Sequence, residues 1–129
     1  MGWIDKLFGP KAPRVQPVHV DDENFIAEVA RSGLPVVLDV WSHGCSPCAA
    51  LEPIVMDLAT ALKGRVKVAE MNAAEAMEMT ARLGVMGTPT VLFFKKGREV
   101  TRVTGFVGSR YLREVIDSEL IASPQGSLK

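Results

Sequence analysis

The segment Val36-Val-Leu-Asp-Val-Trp41 limits the possible folds more than any other stretch of the chain. It is apolar at residues of both parities, and only Asp39 interrupts it. An extended strand with two apolar faces has to be covered on both, as strands in a central parallel position of a sheet are. Beyond it the apolar period changes. Leu51, Ile54, Val55, Leu58, Ala59 and Leu62 recur every three or four residues, which predicts a helix over 45–62. Pro53 lies inside that helix and is expected to kink it, and Gly64 closes it. A buried strand leading into an amphipathic helix is the unit of an α/β layer sandwich.

The rest of the chain fits the same architecture. Val18-His19-Val20 reads as a short strand. Asp21 or Asp22 then caps a helix with Phe25, Ile26, Val29 and Ala30 inward, and Gly33 and Pro35 end it. Val66–Asn72 is a further strand, 74–83 a short helix stopped by Gly84, and Thr90–Phe94 an apolar strand. Lys96-Gly97 makes a turn into a return strand over Glu99–Val103. Ser109 is expected to cap a last helix with Tyr111, Leu112, Val115, Ile116 and Leu120 inward. The order is β-α-β-α-β-α-β-β-α, one sheet sandwiched by helices. Gly9-Pro10, Pro13 and Pro17 set residues 1–16 apart as an extension, in which Trp3, Ile4, Leu7 and Phe8 would form one apolar face of a short helix. Residues 17–122 read as the domain and 123–129 as a flexible tail.

The only two cysteines, Cys45 and Cys48, flank Ser46-Pro47 where the buried strand gives way to the helix. Pro47 fits a helix's first turn. The free N–H groups there stabilise negative charge, so Cys45 would favour its thiolate, which is the nucleophile. Cys48, one turn on, would lie against Cys45 and could close a disulfide with it. Three plainer readings stand beside this one. A structural disulfide would close a very short loop and constrain the unfolded chain little. A zinc site wants four ligands, and His43 and the distant His19 are the only histidines available. Two inert buried cysteines are the third. No metal site is expected.

Composition narrows the class of function. The 129 residues suit one domain with a real core. Fifteen Lys+Arg balance fifteen Asp+Glu, giving a formal net charge of zero. No nucleic-acid partner is therefore expected, and the Lys95-Lys96-Gly97-Arg98 cluster reads as a solvated turn. No run reaches the ~20 apolar residues of a membrane span, and the first residues lack the apolar stretch of a signal peptide. A cytoplasmic protein without membrane contact is expected. In that reducing setting a cysteine pair is more often catalytic or metal-binding than structural.

With this order in place, Asp39-Val-Trp-Ser-His-Gly-Cys-Ser-Pro-Cys48, Pro53, Gly84-Val-Met-Gly-Thr-Pro-Thr90, Lys96-Gly97 and Gly105 together resemble the thioredoxin family, from about Val18 to Ile121. A Cys-x-x-Cys pair alone is a weak signal. One that follows an Asp and a Trp and precedes Gly-Thr-Pro-Thr by about forty residues is specific. The resemblance implies a thioredoxin fold and a protein-disulfide reductase with no bound cofactor, active in electron transport and cell redox homeostasis. Cys45 would attack a disulfide in a partner protein, and Cys48 would resolve the mixed disulfide. A thioredoxin-reductase-like donor, flavin-dependent or another dithiol, would reduce the pair again. A monomer is expected. Low thiol pKa values in such motifs, thioredoxin's among them, are a known property of the class.

The resemblance also assigns residues around the pair. Asp39 would lie beneath Cys48 and help take its proton through water; the plainer role is a structural carboxyl bonded to backbone. Pro89 matches the family's cis-proline and would turn the Thr88 backbone toward the cysteines, to pair with a substrate strand. Trp41, Met86, Gly87 and Gly105 would frame the same substrate-binding surface, with Trp41 equally a support for the loop and Met86 equally a plain exposed side chain. Met56 is expected in the core. The chain also departs from the family. The Trp usual just before the first cysteine is gone, His43 stands two before it, Ser46 replaces the usual Gly, Ala49 replaces a common Lys, and Glu70 stands where many bacterial members have Lys. His43, Ser46, Pro47 and Glu70 are therefore the expected tuning positions for redox behaviour, with a solvated loop as the plainer reading of His43. Two alternatives to the reductase remain: a disulfide oxidant or isomerase, since direction depends on potential, and a binding or chaperone-like adaptor with secondary redox activity.

Overall fold

The computed structural model describes residues 14–121. The expected helix at Trp3–Phe8 and the tail at 123–129 lie outside the described residues. The strands are β1 (Val18–Val20), β2 (Val36–Trp41), β3 (Lys67–Asn72), β4 (Thr90–Lys95) and β5 (Arg98–Thr104). The helices are α1 (Ile26–Ala30, π-wound), α2 (Ser46–Ala61), α3 (Met77–Arg82) and α4 (Ser109–Val115), which runs on into π-wound turns at Ile116–Ile121.

The five strands form one mixed sheet in the order β1-β3-β2-β4-β5. β2 is central. It runs parallel to β3 and antiparallel to β4, so it is parallel on one side only. The two parities of its side chains enter two separate cores. Val37 packs with Leu51, Val55 and Leu58 of α2 and with Leu112 and Ile116, whereas Val36, Leu38 and Val40 pack with Phe25, Val29 and Ala76. Asp39 and Trp41 share Val37's parity and so face α2. On β3, Val68 belongs to the α2 core and Ala69 and Met71 to the other, which puts Glu70 on the α2 face. This parity positions the site.

Several local expectations need correction. Asp21 accepts hydrogen bonds from the N–H groups of Glu23 and Asn24 and caps the turn before α1, whose own N-cap is Phe25. Asp22 serves a different helix: its carboxylate accepts from the N–H of Met79 at 2.8 Å and of Glu78 at 3.3 Å, the free donors of α3's first turn. The π-winding of α1 turns Ile26 outward, leaving it 51% exposed. Tyr111 is likewise 50% exposed. Ser109 is the first residue of α4 rather than its cap; Gly108 holds that place. Pro53 does lie inside α2, as the helical period placed it, and the helix runs from Ser46 to Ala61. Met56 is half-buried at the margin of the site cleft rather than in the core.

The β4–β5 turn has a clear steric cause. Lys96 and Gly97 both take positive φ, 53° and 77°, as a two-residue hairpin turn requires. At Gly97 a Cβ would also run into the Ala30 carbonyl oxygen. Only glycine meets both demands.

Candidate active site

The two cysteines sit where β2 gives way to α2. Cys45 is the N-cap of α2, with φ −104° and ψ 104°, and its Sγ accepts the Cys48 N–H at 3.2 Å. Ser46 and Pro47 form the exposed first positions of the helix. Proline suits that place because its missing N–H would have no helical partner. Cys45 and Cys48 are joined by a disulfide, with their Cα atoms 5.2 Å apart. Cys48 is buried and Cys45 only half-buried, so the first sulfur is the one an incoming molecule reaches.

A second loop closes on them. The Thr88–Pro89 peptide bond is cis, and the Thr88 carbonyl oxygen lies 3.6 Å from Cys45 Sγ. Thr88 Oγ1 pairs with Ser42 Oγ at 2.6 Å, which fastens this loop to the one before Cys45. Thr90 Oγ1 donates to the Gly87 carbonyl at 2.7 Å, and the Gly105 N–H donates to the Pro89 carbonyl at 2.8 Å. Gly105 has φ of 88°, and the space its Cβ would fill is open. Gly87 is exposed and Met86 is 97% exposed, the most exposed of the large apolar side chains described. Met86, Gly87, Thr88 and Pro89 thus lie on one loop and Gly105 on a second, joined at Pro89, with Thr88 beside Cys45.

Beneath the cysteines lies a cleft of about 360 Å³ whose walls include Asp39, Trp41, His43, Cys45, Cys48, Glu52, Met56 and Glu70. Asp39 is only 5% exposed, and its Oδ1 has no hydrogen-bond partner among the described residues. Burial in this apolar setting disfavours its charged form, and the negative charges of Glu70 and Glu52 add to the effect. Its pKa is pushed up to about 7. The structural alternative for Asp39, a carboxyl bonded to backbone, does not describe this oxygen.

Glu70 is gripped at both oxygens. Trp41 Nε1 donates to Oε1 at 2.6 Å, and His19 Nδ1 lies 2.7 Å from Oε2. The hydrogen bond to Glu70 raises the His19 pKa above its ordinary value. Trp41 in turn carries His43, whose ring stands edge-on to the indole at 4.9 Å and 84°. Trp41, at the end of β2, thus links Glu70 to His43.

Of the site residues read from the sequence, Asp39, Trp41, His43, Cys45, Cys48 and Glu70 line this cleft, and Thr88 lies beside Cys45. Three others were not singled out from the sequence. Glu52 stands one helical turn after Cys48, and that spacing is visible in the sequence. Ser42 and His19 carried no such signal, because their roles depend on a loop and a strand distant in the chain.

A family model described as Thioredoxin matches residues 16–118. Among curated proteins, "Thioredoxin" of Rickettsia bellii is 36% identical over 102 residues, 79% of this chain and 97% of its own. "Thioredoxin" of Allochromatium vinosum is 36% identical over 101 residues, covering 78% of this chain and 94% of its own. "Thioredoxin 1" of a Nostoc species is 33% identical over 101 residues, with the same two coverages.

Proposed function

The chain belongs to the thioredoxin family, and from that premise we propose how its residues divide the work of a protein-disulfide oxidoreductase. The enzyme reduces disulfides in partner proteins through a Cys45/Cys48 dithiol–disulfide cycle. In the reduced state the Cys45 thiolate attacks one sulfur of the substrate disulfide. A Cys45–substrate S–S bond forms, and the other substrate sulfur leaves as a thiolate and takes up a proton. Cys48 then loses its proton and attacks Cys45 Sγ. The internal disulfide forms, and the substrate's second thiolate is released. Two electrons pass from the dithiol to the substrate, and the cycle needs no bound cofactor because the S–S bond itself stores the oxidation.

The observation that carries this reading is Cys45's place as the accessible N-cap of α2, disulfide-bonded to a buried Cys48. The helix's free N–H groups favour a thiolate at Cys45. Asp39 is the proton acceptor for Cys48: both line one cleft, and a carboxyl with a pKa of about 7 exchanges protons readily near neutral pH. Glu70 tunes that carboxyl. Thr88 offers backbone groups beside Cys45 to an extended substrate segment, with Pro89 fixing their direction and Trp41, Met86, Gly87 and Gly105 as the surrounding surface. His43, Ser46 and Pro47 tune the pair from the rim. Residues 17–122 are the working domain, a monomer in a reducing cytoplasm, re-reduced by a thioredoxin-reductase-like donor.

Single and double serine variants test the assignment. Cys48→Ser should accumulate mixed disulfides with substrate proteins on non-reducing gels, and Cys45→Ser should not. Trapping by Cys45→Ser would reverse the two roles. If the double variant kept its full effect on partners, the surface would be acting as an adaptor rather than a reductase.

A further inference from the structure

We propose that His19 is a positioning residue for the thiol–disulfide reaction: seated against Glu70, it sets how much of that carboxylate's charge reaches Asp39. The inference deepens the preceding reading and rests on Asp39 as the proton acceptor for Cys48.

The geometry is a row across three strands. His19 on β1 is in register with Glu70 on β3, and Glu70 is in register with Asp39 on β2. Partners in register on parallel strands share a face, so the three side chains stand side by side about 5 Å apart strand to strand. Trp41 Nε1 holds one oxygen of Glu70 and His19 Nδ1 the other, so the carboxylate has one orientation. Asp39 is at the buried end of the row with an oxygen that has no partner among the described residues. His19 is at the open end, its ring 52% exposed. A proton taken from solvent at one end therefore changes the field at the other.

The charged groups facing the row are few. His19 faces Glu70, Glu75, whose Oε1 is 3.4 Å from Nε2, and Asp21 on its own side. Asp39 faces Glu70 from β3 and Glu52 from α2, with Cys45 and Cys48 across the cleft. His43 lines the same cleft and stands edge-on to Trp41, without a hydrogen bond or ion pair to Glu70 or Asp39 among the described residues. His19 is thus the one histidine in direct contact with a carboxylate that acts on Asp39. When it is protonated, the His19–Glu70 pair is neutral and Asp39 ionises more easily. When it is neutral, Glu70 bears on Asp39 uncompensated and Asp39 holds its proton to higher pH.

The test follows the side-chain carboxyl carbon of Asp39 by NMR through a pH titration. It uses the oxidised protein, in which the cysteines do not titrate. His19→Gln should raise the Asp39 midpoint by about half a unit, Glu70→Gln should lower it by at least as much, and the double variant should match Glu70→Gln alone. His19→Lys, which restores a permanent cation, should bring the midpoint back to the wild-type value or below it. The pH profile of the resolving step should move in the same directions. An Asp39 midpoint unmoved by His19→Gln, or shifts that simply add in the double variant, would overturn the proposal. The titration needs no turnover, so its outcome is separate from the serine-trapping result that tests the reaction itself.

Discussion

Asp39→Asn should make the oxidised protein more stable at neutral and alkaline pH and leave it little changed in acid. The unfolded carboxyl titrates at an ordinary 3.8, and the folded one at about 7. Below the lower value Asp39 is protonated in both states and the fold loses nothing. Between the two values the folded state binds the extra proton, so stability falls as pH rises. Above the upper value Asp39 is charged in both states, and the full penalty of burying that charge is present. A rise from 3.8 to about 7, at about 1.4 kcal/mol for each pH unit, amounts to about 4 kcal/mol. That is a large share of the 5–15 kcal/mol that typically separates folded from unfolded domains.

Urea unfolding of the two proteins across a pH series would measure this. Asparagine's own packing and hydrogen bonding add an offset that does not vary with pH, so the informative quantity is the slope of the difference. It should grow by somewhat over 1 kcal/mol per pH unit from about pH 4 and level off near pH 7. His19 and the surface carboxylates titrate in both proteins and largely cancel. A difference that stayed flat across this range would mean that Asp39 is not held protonated by burial. The account of it as a proton acceptor poised near neutrality would then fail. Greater stability without Asp39 at neutral pH is what the proposed chemical role for this carboxyl predicts.

Two other substitutions test the framework around the cysteines. Gly97→Ala should destabilise the fold by about 1–3 kcal/mol in urea unfolding, because φ of 77° and the Ala30 carbonyl both oppose a Cβ; it lies at the other end of the sheet from the cysteines, so disulfide reduction per folded molecule should be unchanged. Ser42→Ala leaves Thr88 Oγ1 without its partner and should cost about 1 kcal/mol in the same assay. It should also slow the first attack on a substrate disulfide a few-fold, whereas an unchanged rate would mean that the two loops hold their apposition without the hydroxyl pair.

What the sequence made legible is what neighbouring residues along the chain decide together. The apolar run at 36–41, the helical period after it and the Cys-Ser-Pro-Cys turn between them required only local reading, and they place both sulfurs and Asp39. Parity along one strand does the rest, since Asp39 and Trp41 must face the same side as Val37. Elements whose faces are set by winding were less legible. Ile26 and Tyr111 sit at apolar positions by helical spacing, yet α1 is π-wound and Tyr111 lies on the outer side of α4's first turn.

Contacts between elements far apart in the chain were legible only where the family resemblance supplied them, as for Thr88 beside Cys45 and Glu70 beside Asp39. Asp22 looks like a cap for the helix that follows it and instead satisfies the donors of α3, more than fifty residues on. His19 looks like a lone histidine in a short strand. Its partner is fixed by the β1–β3 register, and three residues of strand carry too little pattern to reveal that register. The active-site carboxyl therefore has two kinds of determinant. Its burial is written into β2, where any polar residue at that parity would be covered by α2. Its electrostatic setting comes from Glu70 and Glu52 and, on the proposal above, from His19 through Glu70, a pairing that the β1–β3 register brings about. A variant that kept every residue from Asp39 to Cys48 but altered position 19 or 70 would keep the reacting sulfurs and change the pH at which the second of them gives up its proton.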